Sequence, residues 1–244
     1  MTIMTMAALG GVFSFLSTSF GSLMVLGPYR LSRAREIRFS IDFVLGVMLS
    51  ATAFSLIGPN LLNGFGDGAL FQMLIAGATL GMIFIGFTHN LIQRFSKIQK
   101  SAQVMLVVAL ISHNFPEGMG AGASLAGMDL AQSIPIQIAL SVQNVAEGLL
   151  MTMAMMALGF SLPVGIVAGI GSGVVEFGGA LTAGFALERT MSLLPFCLAL
   201  AGGAMLMSVV MELYEGWQDG RKIRFAPLLT GFLIVPFMNL ILGI

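Results

Sequence analysis

Two stretches of this chain, thirty residues apart, carry side chains that can bind a cation: His113-Asn114-Phe115-Pro116-Glu117-Gly118 and Gln143-Asn144-Val145-Ala146-Glu147-Gly148. Each places a metal-capable side chain four residues before a glutamate, and on a helix positions i and i+4 share a face. His113 with Glu117, and Gln143 with Glu147, therefore each present two ligand atoms to one point. Asn114 and Asn144 come one residue later, about a third of the way round the helix, where they can serve a second, adjacent position. Two carboxylates, an imidazole and several amide oxygens suit a divalent cation of borderline hardness: Zn(II), Fe(II), Mn(II) or Co(II), with Cd(II) also compatible. The set has no thiolate, which argues against a very tight structural zinc site. It fits a site that must release its ion.

Pro116 adds a local device. It offers no N–H to the carbonyl of Ser112 and clashes with it, so the helix is expected to kink there. The freed Ser112 carbonyl would then join the ion pathway beside His113. Gly118, Gly120 and Gly122 leave room for a neighbouring helix in the next turn. Simpler readings exist for each residue alone. A single membrane histidine can bond a neighbouring carbonyl, and a single glutamate can be a protonated structural group. The two paired stretches with a proline between their ligands make that reading a poor account of the whole. Glu176, the next intramembrane carboxylate, has a local alternative in a bond to Ser172 one turn back. His89 reads as interfacial, and Glu212 and Glu215 as mouth or packing residues. Met151, Met153, Met155 and Met156 read as helix packing, as do Phe13, Phe15 and Phe20, with lipid contact open to the last three. The single cysteine, Cys197, excludes an intrachain disulfide and reads as one more apolar packing residue.

The elements that position these residues follow from composition. The chain is 57% hydrophobic and 9% charged, with mean hydropathy +0.97. A soluble domain has roughly a quarter of its residues charged, so this is an all-α integral membrane protein, with apolar segments of helix length rather than alternating strands. The 31 glycines suit closely packed membrane helices. Eight spans are expected at about 4–27, 41–62, 69–92, 102–127, 134–158, 164–187, 191–213 and 226–243, forming one domain over 1–244. The first lacks the basic start and short core of a signal peptide. Polar joints separate the spans: Arg30, Arg33, Arg35, Glu36 and Arg38; then Arg94, Lys97 and Lys100; then Glu215, Asp219, Arg221, Lys222 and Arg224. Turns fall at Asn63-Gly64-Phe65-Gly66-Asp67-Gly68 and at Gly159-Phe160-Ser161-Leu162-Pro163, and Glu188-Arg189 closes the sixth span. Of the 11 Lys and Arg residues only Arg189 falls on the opposite side from the rest, which places both termini outside the cytoplasm. Antiparallel fourth and fifth spans bring the two stretches together near the midplane, the geometry of a ligand site at an inverted repeat.

At these residues the chain resembles the ZIP (Zrt/Irt-like) family of divalent metal transporters, and within it the GufA-like branch, over essentially its whole length. The stretch from His113 to Gly118 resembles the family's fourth-helix motif. That from Gln143 to Gly148 resembles the fifth-helix motif in the form with Gln where many members have His. Glu176 in Gly171-Ser172-Gly173-Val174-Val175-Glu176 resembles the sixth-helix glutamate. Gly46-Val47-Met48-Leu49-Ser50 resembles the second helix and Gly202-Gly203-Ala204-Met205 the seventh. The resemblance implies eight helices in a three-two-three bundle, commonly a homodimer, moving ions toward the cytoplasm. It further implies a binuclear site bridged by Glu117 and Glu147. One position would be completed by His113 and Gln143, the other by Asn114, Asn144 and Glu176. Met48 and Ser55 would lie along the ion path, and the ligand-bearing helices would move in an elevator-like manner. Ala146 stands where a second proline is common, Phe177 where a proline often follows Glu176, and Asn144 where some members have Asp. The joint between spans three and four lacks a histidine-rich loop, so no sensing by such a loop is expected.

The function expected is uptake of a divalent metal ion, zinc foremost, across the plasma membrane (the inner membrane in a bacterium), with the lipid bilayer as surroundings and no nucleic-acid partner. A passive, channel-like pore with the same ligands is the alternative. An intramembrane metal-dependent hydrolase is the rival from another class, and it is disfavoured because there is no His-Glu-x-x-His motif and only two histidines. Metal binding should release protons and weaken in acid.

Overall fold

A computed structural model describes the backbone of residues 1–27, 34–58, 61, 67–99, 102–218 and 220–242, and their side chains except at 34–40, 92–93, 95–99, 102–111, 157 and 242. Arg30, Arg33, Asn63 to Gly66, Lys100 and Asp219 therefore lie outside the described residues, as do the side chains of Arg35, Glu36, Arg38 and Lys97.

All regular structure among the described residues is helical. Helix α1 spans Ile3–Leu23, with the Thr2 hydroxyl accepting the Thr5 N–H at its start. Helix α2 spans Ala34–Ala51 and passes into a π turn over Thr52–Leu56, where the Ile57 N–H reaches the Thr52 carbonyl. There follow α3 (Gly68–Gln99), α4 (Ala102–Gly127), α5 (Leu130–Ala157), α6 (Leu162–Arg189), α7 (Leu194–Gln218), α8 (Phe225–Phe232) and α9 (Ile234–Leu242). Their ends have local causes. The Asp67 carboxylate caps α3 by accepting the N–H groups of Ala69 and Leu70. Gly159, at φ 87°, ends α5 in the left-handed conformation that suits glycine. Ser161 and Pro163 then open α6. Among the described residues, five stretches are long and apolar enough to cross a membrane: Ile3–Leu26, Gly68–Leu91, Leu130–Met156, Leu162–Arg189 and Met191–Gln218; Ile41–Leu56 and Phe225–Ile241 are shorter apolar helices.

Three boundaries differ from the sequence reading. The expected last span is two helices broken at Leu233. Pro236 has no N–H for the carbonyl of Phe232, and the Ser50 hydroxyl takes that carbonyl at 2.6 Å instead. The second span passes from α-helical to π geometry after Ala51, and Pro59, Asn60 and Leu62 at its expected end lie outside the described residues. Helix α3 extends to Gln99, so His89 lies inside it and not at its end. Pro116 and Pro135, in contrast, are carried within continuous helices.

Close contacts at small residues fix how the helices run. Gly118 of α4 lies against the backbone of Glu176 and Gly122 against Ala180, so α4 and α6 are parallel. Helix α1 packs antiparallel to α6, with Gly11 beside Phe177 and Ala180 and Thr18 beside Glu176. Helices α3 and α7 run parallel, Gly77 and Gly81 meeting Phe196 and Leu200 in turn. So do α2 and α8, where Asp42 accepts the Arg224 N–H at 3.1 Å and Gly46 meets Leu228. The molecule thus has one group, α1, α4, α5 and α6, and beside it the pairs α3–α7 and α2–α8. The functional stretches of α4 and α5 lie inside the first group.

Candidate metal centre

Helices α4, α5 and α6 bring six polar side chains to one place in an apolar interior. Asn114, Glu117, Gln143, Asn144, Glu147 and Glu176 are each no more than 5% exposed, and His113 is 14% exposed at its side chain. The i, i+4 spacing does what helix geometry requires. His113 and Glu117 from α4 face Glu147 from α5, with one ligand atom from each lying within 4.8 Å of the other two. The His113 Nε2 stands 3.7 Å from Glu147 Oε2, too far for a hydrogen bond. Gln143 sits between the two glutamates. Its amide N–H group donates to Glu117 Oε1 at 2.6 Å and to Glu147 Oε1 at 3.0 Å.

One turn aside, the asparagines and Glu176 form a second constellation. Asn114 donates to Glu176 Oε1 at 2.7 Å and Asn144 to Glu176 Oε2 at 2.8 Å. Thr18 of α1 donates to Glu176 Oε1 at 2.7 Å. Glu176 therefore bonds across three helices, while Ser172 bonds the Gly169 carbonyl; the local Glu176–Ser172 alternative does not hold.

The two constellations differ in what they leave unpaired. Glu117 Oε2, Glu147 Oε2, Gln143 Oε1 and Asn144 Oδ1 are buried acceptors without a hydrogen-bond partner. Such atoms carry the full cost of desolvation when nothing meets them. A divalent cation is an occupant that would satisfy acceptors alone, and imidazole, carboxylate and amide oxygen are suitable ligands for one.

The other candidates are placed as follows. Ser112 is half-buried one residue before His113. Pro116 lies within unbroken α4. Met48 is buried in an apolar cluster with Leu56, Met119, Leu140 and Ala201, and Ser55 is buried on the π turn. Met151, Met153 and Met155 are buried and Met156 is exposed. His89 pairs with Glu215 at 3.3 Å, and Arg221 with Glu212 at 3.2 Å, linking α3, α7 and the joint after it. Thr18 was not singled out from the sequence. The signal was a stripe of small residues along α1, Ser14, Thr18 and Ser22 at steps of four, all buried here.

No family model matches the chain. It is 34% identical to the zinc transporter ZIPB of Bordetella bronchiseptica, over 97% of this chain and 81% of that protein. It is 30% identical to the zinc transporter GufA of Myxococcus xanthus, over 93% of this chain and 95% of that protein. Both matches run through α4 and α5, where the cation ligands converge, and both extend over nearly the full chain; the protein belongs to the ZIP (Zrt/Irt-like) family of metal transporters, with GufA-like proteins among its relatives.

Proposed function

We infer that the protein carries divalent metal ions, zinc foremost, across the plasma membrane toward the cytoplasm, and that the ion passes through the centre formed by α4, α5 and α6. The observation that carries this reading is the convergence of His113, Glu117 and Glu147 in a buried, acceptor-rich pocket. His113, Glu117, Gln143 and Glu147 form the first ion position. Gln143 points its N–H group at the two carboxylates; rotating that amide by half a turn would offer Oε1 to an arriving ion in its place. Asn114, Asn144 and Glu176 add a second position that shares Glu117 and Glu147. Two relatives named as zinc transporters make zinc the first ion to test.

Eight passes through the bilayer are supported by the helix directions. Every close contact described above fits a chain that reverses at each joint, with α8 and α9 together forming the last pass. An inverted repeat is supported by the way α2 pairs in parallel with α8 just as α7 pairs in parallel with α3. Both termini then lie outside the cytoplasm, opposite Arg221, Lys222 and Arg224, and two such chains associate as a dimer.

The test is zinc uptake into liposomes holding the purified protein. Saturable uptake is expected for the wild type, with loss of at least tenfold on Glu117→Ala or Glu147→Ala in protein that remains monodisperse. Uptake by both variants at the wild-type rate would sink the reading.

A further inference from the structure

Helices α4 and α5 are the arms of a hairpin, joined only by Met128 and Asp129. Being antiparallel, they face each other in rungs. His113 of α4 meets Glu147 of α5 at 3.7 Å, and one turn nearer the joint Glu117 meets Gln143 at 2.6 Å. About 6 Å further toward the joint, at 1.5 Å per residue, comes a third rung that holds no carboxylate. There the Gln137 amide N–H groups donate to the Ala121 carbonyl at 2.7 Å and to the Ser124 hydroxyl at 2.8 Å. The Ser124 hydroxyl in turn donates to the Ala121 carbonyl at 3.0 Å.

The third rung is closed to water: Gln137 is 8% exposed, and Ala121 and Ser124 are wholly buried. Gly10 of α1 packs directly against the Ala121 carbonyl, so three helices meet there. In such a place an amide keeps its partners, because an unmet buried donor carries its full desolvation cost. The two glutamine rungs differ in permanence. Gln143 gives its N–H group to Glu117 and Glu147, the carboxylates an ion needs, so an arriving cation displaces it. Gln137 gives its own to a carbonyl and a hydroxyl outside the cluster of ligand atoms, and an ion leaves it in place. Gln137 is thus a hydrogen-bonded tie between α4 and α5 that survives loading of the centre.

We propose that Gln137 is a positioning residue that sets the separation of α4 and α5 at the ligands, and through it the size of cation the centre prefers. The proposal rests on the metal centre inferred above. Gln137 touches no ion itself. Inward of its rung, the next groups to bridge the two arms are the ligands, so the tie fixes the gap between His113 and Glu117 on one arm and Gln143 and Glu147 on the other. Zn(II) sits about 2.0–2.2 Å from nitrogen and oxygen ligands and needs the arms close. Cd(II) is larger and accepts a wider gap. Releasing the tie lets the arms part, which weakens the hold on zinc more than the hold on cadmium.

The experiment measures zinc and cadmium affinity of the full chain in nanodiscs. Gln137→Met keeps length and bulk and removes both N–H donors. Zinc affinity should fall by about tenfold, as is typical of groups that orient metal ligands from behind, and cadmium affinity by clearly less. Ser124→Ala, a smaller change that leaves the Ala121 carbonyl in place, should shift the zinc-over-cadmium preference the same way by less. Gly77→Ala is the comparison for stability alone, because its Cβ would press on the Phe196 carbonyl in the α3–α7 pair. It should lower the thermal midpoint and leave the preference as in the wild type. An unchanged preference in Gln137→Met (or in Ser124→Ala, should the first variant fail to fold) would overturn the proposal, as would the same shift in Gly77→Ala. Wild-type zinc binding by Glu117→Ala would instead overturn the metal centre itself, which keeps the two failures apart.

Discussion

The helices that carry the ligands and the helices beside them are joined in different ways. Within α1, α4, α5 and α6, the glycines nearest the ligands meet backbone: Gly118 faces the Glu176 main chain, and Gly148 faces the carbonyl of Thr18 and the N–H of Ser22. Polar bonds then cross the same contacts, from Thr18, Asn114 and Asn144 to Glu176 and from Gln143 to Glu117. The seam toward α2 and α7 is built otherwise. Gly120 meets the methyl of Ala201 and the branched end of Leu56, Gly127 meets the tip of Leu194, and Gly202 meets the side chain of Ile57. Backbone against backbone, with hydrogen bonds across it, fixes one register; contacts through side-chain ends carry no such bonds. The ligand helices are therefore held to one another more tightly than to α2 and α7.

Four experiments press on that contrast, from the largest expected effect to the smallest. Gly148→Val places a Cβ 2.9 Å from the Thr18 carbonyl carbon and within 3.0 Å of the Ser22 nitrogen. Overpacking of this kind costs about 1–3 kcal/mol or more; the thermal midpoint and zinc binding should both fall sharply, and an unaltered midpoint would break the account of these helices as tightly held. Acid should act on the ligand helices next. His113 must be neutral and the glutamates ionised to hold a metal, so zinc affinity should weaken steadily as pH falls. A flat affinity between about pH 5 and 8, where histidine titrates, would count against His113 as a ligand. Gly120→Val puts its Cβ against only Ala201 and Leu56. It should leave zinc binding intact and slow uptake several-fold, so equal loss of binding and uptake would erase the distinction between the ligand helices and the seam. Glu215→Gln removes a partly exposed pair with His89. Its effect on the thermal midpoint should correspond to less than about 1 kcal/mol, with uptake unchanged.

The sequence disclosed what local chemistry controls. The i, i+4 ligand pairs faced each other as their spacing required. Pro236 was as visible as Pro116, yet only Pro236 coincides with a broken helix. The carbonyl that Pro236 frees is met by a donor from another helix, Ser50, 182 positions away along the chain. Thr18 was hidden for the same reason. Its partner is 158 positions distant, and nothing in an apolar span announces which hydroxyl will meet a carboxylate. The roles of Asn114 and Asn144 were half legible: their nearness to the first position followed from helix geometry, but the direction of each amide depended on Glu176.

The hydroxyl of Ser50 has a mechanical meaning beyond closing the gap left by Pro236. It ties α2 to the carbonyl of Phe232, and Asp42 ties the same helix to the Arg224 N–H two turns earlier. Sliding α2 lengthwise along α8 would strip both bonds at once, leaving a buried donor or acceptor at each, at about 1–3 kcal/mol apiece. The two bonds work as a pair of detents. They hold α2 and α8 in one register.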